Sequence, residues 1–147
     1  MSTGETDQAA IYLQTVNKLI DAWKQGSVDG VLELLSDDVE YHYAVGERPL
    51  HGRDWVRRFL EKFGAGMTDV RWRIVNHAAN GDKLLVEGVD DFINAQGHRV
   101  QTPYMGIFQF RDGKICRWRD YVDLGMTHAA NEGKELPEWV QALNNAA

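Results

Sequence analysis

The chain has 147 residues, a formal net charge of −6, and a composition that is 44% hydrophobic and 26% charged. This suits one soluble domain, residues 1–147, with a sizeable core. The acidic excess argues against a nucleic-acid partner, which wants a basic face, and no apolar run reaches the roughly 18 residues that a transmembrane helix needs.

Residues 1–6 are polar and acidic; they read as a frayed tail and not as a signal peptide. From Thr6 to Gln25 the apolar positions Tyr12, Val16, Leu19, Ile20 and Trp23 trace one helical face, which Gly26 ends. Ser27 is placed to cap a second, short helix containing Val31, Leu32, Leu34 and Leu35, broken by Asp37-Asp38. Val39–Val45 alternates as a strand, with Val39, Tyr41, Tyr43 and Val45 on one face and Glu40, His42 and Ala44 on the other. After a loop over 46–53, Asp54 caps a third helix that turns Trp55, Val56, Phe59, Leu60 and Phe63 inward. Four strands follow: Val70–His77, Lys83–Asn94, Arg99–Phe110 and the stretch leading into Trp118–Leu124. Asn80-Gly81, Ala95-Gln96-Gly97 and Asp112-Gly113 supply the turns between them. Pro103 marks an edge or a bulge, and Glu135–Leu143, with Pro137 in its first turn, closes the chain as a helix. Helices first and a long antiparallel meander last make an α+β fold, a curved sheet with helices on one face.

The run Trp118-Arg119-Asp120-Tyr121-Val122-Asp123-Leu124 carries the chemistry. Alternation puts Asp120 with Cys116, Trp118, Val122 and Leu124, and turns Ile115, Arg117 and Arg119 the other way. An acid on a buried face is costly unless it is paired, hydrogen-bonded or protonated. Asp90 repeats the situation beside Leu84, Val86, Gly88 and Phe92, although both faces of its strand are apolar and its neighbour Asp91 reads equally as solvated. Gly88 leaves either a bend or room for a ligand. The hydroxyls of Tyr41 and Tyr43 need partners if buried. Two acids and two tyrosines thus point toward one cavity, with Trp72, Gly88, Phe92, Tyr104, Phe108 and Trp118 as candidate walls. Each of these also has a plainer role, as a satisfied structural carboxylate or a core aromatic. His42, His51, His77, His98 and His128 show no ligand spacing, so no metal is expected. No phosphate loop, dinucleotide fingerprint or nucleophile elbow is present, so no cofactor is expected either. Cys116 is the single cysteine, which excludes an intrachain disulfide and fits a cytoplasmic location. The opposite sheet face, with Leu85, Val89, Ile93, Met105 and Ile107, is too apolar for water and predicts a homodimer through it.

The element order, and most closely the run Gly106–Leu124, resembles the limonene epoxide hydrolase and polyketide-cyclase-like branch of the cone-shaped nuclear-transport-factor-like superfamily. The resemblance implies N-terminal helices on a strongly curved, mostly antiparallel sheet, around a pocket for a hydrophobic small molecule. For the epoxide hydrolases it implies a one-step mechanism. One Asp, helped by a Tyr and an Asn, activates water, a second Asp protonates the departing oxygen, and an Arg lies between the acids. Carried over, Asp120 is the base, Tyr41 its tyrosine and Asp90 the acid. The family's Asn falls at Tyr43 and its Arg at Gly88. Without that cation two nearby carboxylates repel, and one tends to stay protonated. Three readings remain open: epoxide hydrolysis; isomerisation, cyclisation or dehydration with Asp120 as base; and a binding module without catalysis.

Overall fold

The computed structural model describes residues 3–145. Helix α1 (Thr3–Lys24) begins inside the stretch 1–6 that reads as a tail; Met1 and Ser2 lie outside the described residues. Its inner face buries Tyr12, Val16, Leu19 and Ile20, the periodic positions of the sequence. Helix α2 (Val28–Leu32) starts at Ser27, whose side chain accepts from the Gly30 N–H at 3.0 Å. It is shorter than expected, because Leu35 belongs to the next strand. Helix α3 (Arg53–Gly64) is capped by Gly52 at φ 87° and not by Asp54, which sits in the first turn, where its charge favours the helix dipole. Trp55 of this helix faces solvent beneath the Arg58 guanidinium, while Val56 and Leu60 are buried.

The six strands are β1 (Leu35–His42), β2 (Leu50–His51), β3 (Arg73–Asn80), β4 (Lys83–Ile93), β5 (Arg99–Arg111) and β6 (Lys114–Tyr121). They form one open, mixed sheet in the order β2-β1-β6-β5-β4-β3, with β1 parallel to β6 and every other pair antiparallel. The β5–β6 turn is two residues long, with Asp112 at φ 53° and Gly113 at φ 77°, the left-handed pair that matches strand twist. Pro103 lies in β5 beyond the end of β6, whose pairing starts at Met105, so its missing N–H interrupts no ladder on that side.

Two departures from simple alternation matter. A bulge at Cys116 resets β6, so Ile115 is fully buried in the main core and Cys116 donates its thiol to the Gln109 carbonyl. And β1 ends at His42, so Tyr43 and Ala44 both reach the interior, while Val45 is exposed. After the sheet, α4 (Leu124–Asn131) and α5 (Glu138–Asn144) complete the chain. Helix α4 is an element where a strand end was expected.

Candidate active site

Between the inner sheet face and helices α1, α3 and α4 lies a cavity of about 400 Å³. Its wall is largely aromatic. Tyr41 stacks on Trp118 with ring centroids 4.1 Å apart, and Tyr43 stacks on Phe59 at 4.4 Å. These contacts leave the two tyrosine rings little freedom to turn.

Asp120, near the end of β6, is half-buried and faces the cavity. The indole N–H of Trp118 donates to its Oδ1 at 3.0 Å, and Tyr41 directs its hydroxyl to the same carboxylate. Gly106 stands opposite on β5, and a Cβ there would lie 3.0 Å from that Oδ1. Glycine is therefore what makes room for the acid. Asp90, paired across the ladder with Thr102, opens into the same cavity. Among the described residues none donates a side-chain hydrogen bond to it.

Burial pushes Asp90 up to about 7. Asp120 is raised well above the ordinary carboxylate value by burial and then by the charge of Asp90, against the pull of the Trp118 and Tyr41 hydrogen bonds. The two acids thus titrate as a pair that holds a proton at neutral pH. Tyr41 and Tyr104 are both raised well above 10, chiefly by burial and then by the two acids' charges, so both remain phenols and donors.

Asp90, Asp120, Tyr41, Tyr43, Trp72, Tyr104 and Trp118 all line the cavity. Three expected wall residues do not. Gly88 has its inner side filled, since a Cβ on it would meet the Tyr104 ring and the Arg73 carbonyl, each at 2.6 Å. Phe92 belongs to a separate cluster with Val100 and Ala130. Phe108 is fully buried behind Trp118. Asp91 is not solvated: it is 2% exposed and held by Arg73 at 2.7 Å, Arg99 at 2.9 Å and Gln101 at 2.9 Å. Burial raises its pKa, but these three donors outweigh that and hold it below the usual carboxylate value.

Helix α4 supplies the polar wall that the sequence reading missed: Thr127, His128 and Asn131. The signal was Asp123, whose carboxylate accepts from the Met126 N–H at 3.0 Å as an N-cap. The Asn131 side chain is already committed, since its Oδ1 accepts from Asn94 and its Nδ2 donates to the Thr127 carbonyl.

An α+β cone with paired acids and tyrosines deep in an aromatic pocket is a small-molecule site, and the comparisons agree. The chain belongs to the SnoaL-like domain family, whose model matches residues 16–118, just short of Asp120. It is similar to the epoxide hydrolase EphG of Mycobacterium tuberculosis, 29% identical over 120 residues that cover 82% of this chain and 78% of that one. The solved structure of an LEH-like epoxide hydrolase of M. tuberculosis is 26% identical with a TM-score of 0.72, over 84% of this chain and 91% of that one. A provisionally assigned polyketide cyclase of Xanthomonas campestris pv. campestris shares the fold, at 21% identity and a TM-score of 0.72, over 92% and 98% of the two chains.

Proposed function

We propose that this protein is an acid/base enzyme that hydrolyses an epoxide on a hydrophobic substrate to a diol, by one-step attack of water. The observation that carries the reading is the pair Asp90 and Asp120, two carboxyls raised by burial that line one aromatic cavity. The similarity to two epoxide hydrolases supports it. Asp120 has donors for its charge in Trp118 and Tyr41, whereas Asp90 has none. These donors favour the charge on Asp120 and the proton on Asp90 in the reacting arrangement, although burial leaves Asp90 the less raised of the two acids. Asp120 takes a proton from water as the water oxygen bonds to the epoxide carbon. The carbon–oxygen bond of the ring breaks, and Asp90 gives its proton to the departing oxygen. Tyr41 holds Asp120, and Tyr43 is placed to orient the water. No cofactor takes part in this scheme.

A second reading has its own support: among the described residues no Lys or Arg lines the cavity. Isomerisation, cyclisation or dehydration of a steroid- or polyketide-like substrate needs only Asp120 as base and a phenol to hold an enolate. Turnover of limonene oxide and cyclohexene oxide in ¹⁸O-labelled water separates the readings. Labelled diol from the native protein, lost in Asp120→Asn, supports hydrolysis. No diol from any epoxide sinks it, and enone and dehydration substrates then test the second. A protein that binds all of these and turns over none is a binding module.

The same reading includes a homodimer through the outer sheet face. Met105 and Tyr121 are exposed there beside Leu85 and Ile107, and the Nε of Arg119 is buried without a partner. A second copy would cover the apolar patch and bring carboxylates such as Glu87 within reach of Arg119. A cytoplasmic setting completes the reading and rests on the single, buried thiol.

A further inference from the structure

We infer that the Tyr104 hydroxyl, set by the indole of Trp72, is the hydrogen-bond donor that receives the substrate's oxygen between the two acids. The inference rests on the cavity taking an apolar, oxygen-bearing substrate, and does not depend on which reaction follows.

Three observations carry it. The ring of Tyr104 lies in the space above Gly88, with its Cε1 2.6 Å and its Cζ 2.8 Å from where a Cβ on Gly88 would sit. Gly88 and Gly106 flank it, so this phenol occupies inner-face room that side chains would otherwise take. Second, Trp72 Nε1 donates to the Tyr104 oxygen at 2.6 Å. The lone pair so engaged polarises the O–H, and among the described residues no side chain accepts that proton. Third, Tyr104, Trp72, Asp90 and Asp120 all line one cavity, and both acids act on the phenol's titration. A donor fixed by packing, with its proton free and its oxygen already bonded, is preorganised for charge that develops on a substrate oxygen. Trp118 repeats the device at Asp120: each indole fixes one polar group of the site. Tyr104 donates a hydrogen bond only; the proton that leaves the protein comes from a carboxylic acid.

Binding of ¹³C-carbonyl cyclohexanone, followed by infrared spectroscopy, tests this apart from turnover. The bound carbonyl stretch should move to lower frequency in the native protein. In Tyr104→Phe that shift should shrink to what the protonated acid alone produces, and the Kd should rise by roughly 3- to 10-fold. Methylenecyclohexane, of the same shape without the oxygen, should bind Tyr104→Phe as it binds the native protein; a merely structural role would weaken both ligands. Trp72→Phe should leave a smaller shift. An undiminished shift in Tyr104→Phe or in Trp72→Phe, or no ketone binding at all, would overturn the inference. Absence of diol from every epoxide would sink the hydrolysis reading while leaving this shift in place.

Discussion

Asp90 and Asp120 set the pH behaviour of the molecule. The carboxyl of Asp90 is raised from 3.8 in the open chain to about 7 in the fold. The native state therefore binds its proton more tightly than the unfolded state does. That contribution to stability is fully present below about pH 4 and is lost as the pH climbs through about 7. Asp90→Asn is neutral throughout, so it should match the native protein near pH 4 and exceed it at pH 8. The gain should be about 2 kcal/mol, less than the full shift implies because cavity water screens the charge; urea unfolding at the two pH values measures it. Activity should follow the same titration. With both acids protonated there is no base, and with both ionised there is no acid, so kcat/KM should be bell-shaped, rising as the pair loses its first proton and falling as it loses its second. Asp120→Asn should lower kcat by on the order of 10²-fold or more at the maximum, read in the diol assay. At this scale Asp120 was legible because Trp118 and Val122 mark its face, and cationic residues mark the other. Asp90 was not separable from Asp91, since both faces of β4 are apolar. What separates them is a cross-strand cluster, Arg73, Arg99 and Gln101, that gathers around Asp91 and cannot be read from one strand.

Single residues in the connections decide where the elements begin. The five-residue α2 depends on Ser27 and the β5–β6 turn on Asp112-Gly113, and both were readable because the side chain or the left-handed φ does a local job. The Cys116 bulge was not readable, because an inserted residue leaves no periodic mark except the change of phase it causes. The missed wall residues have a different cause. Alternation gives the face of Phe92 and Phe108, but not whether a cavity, a second cluster or Trp118 stands above them. Helix α4 was obscured for another reason. Gly125 lowers its propensity, and its Asp123 cap sits where the preceding strand still alternates. That cap has a measurable consequence. Asp123→Ala removes the acceptor for the Met126 N–H and should cost about 1 kcal/mol. Because α4 carries Thr127, His128 and Asn131 to the cavity, loosening its first turn should raise KM several-fold with kcat little changed, since no reacting group sits on it. An equal fall in kcat would mean that α4 also shapes the acid pair.

For the whole molecule, the sheet divides two environments. Its inner face closes on the helices and holds the chemistry. Its outer face is half covered: Asn144 of α5 donates to the Gln101 carbonyl and, through its own carbonyl, accepts from Arg73. That strap reaches one end of β3 and β5. At the other end Met105 and Tyr121 remain half exposed around Leu85, Pro103 and Ile107. Apolar surface of that kind is stabilised by about 25 cal/mol for each Å² removed from water, and a two-fold axis would offer each copy the same patch in return. Arg117 and Glu87 on this face give both signs of charge at the rim, so two copies can meet without like charges opposed. Met105→Glu puts a carboxylate in the middle of the patch, and a desolvated, unpaired charge there costs more than the lost methionine contact. The native protein should therefore run as a dimer in light scattering at micromolar concentration, and Met105→Glu as a monomer with its thermal unfolding still cooperative. Met105 points away from the cavity, so the monomer should keep its affinity for cyclohexanone. A native protein that is already monomeric would remove the dimer from the reading and leave the cavity chemistry as it stands.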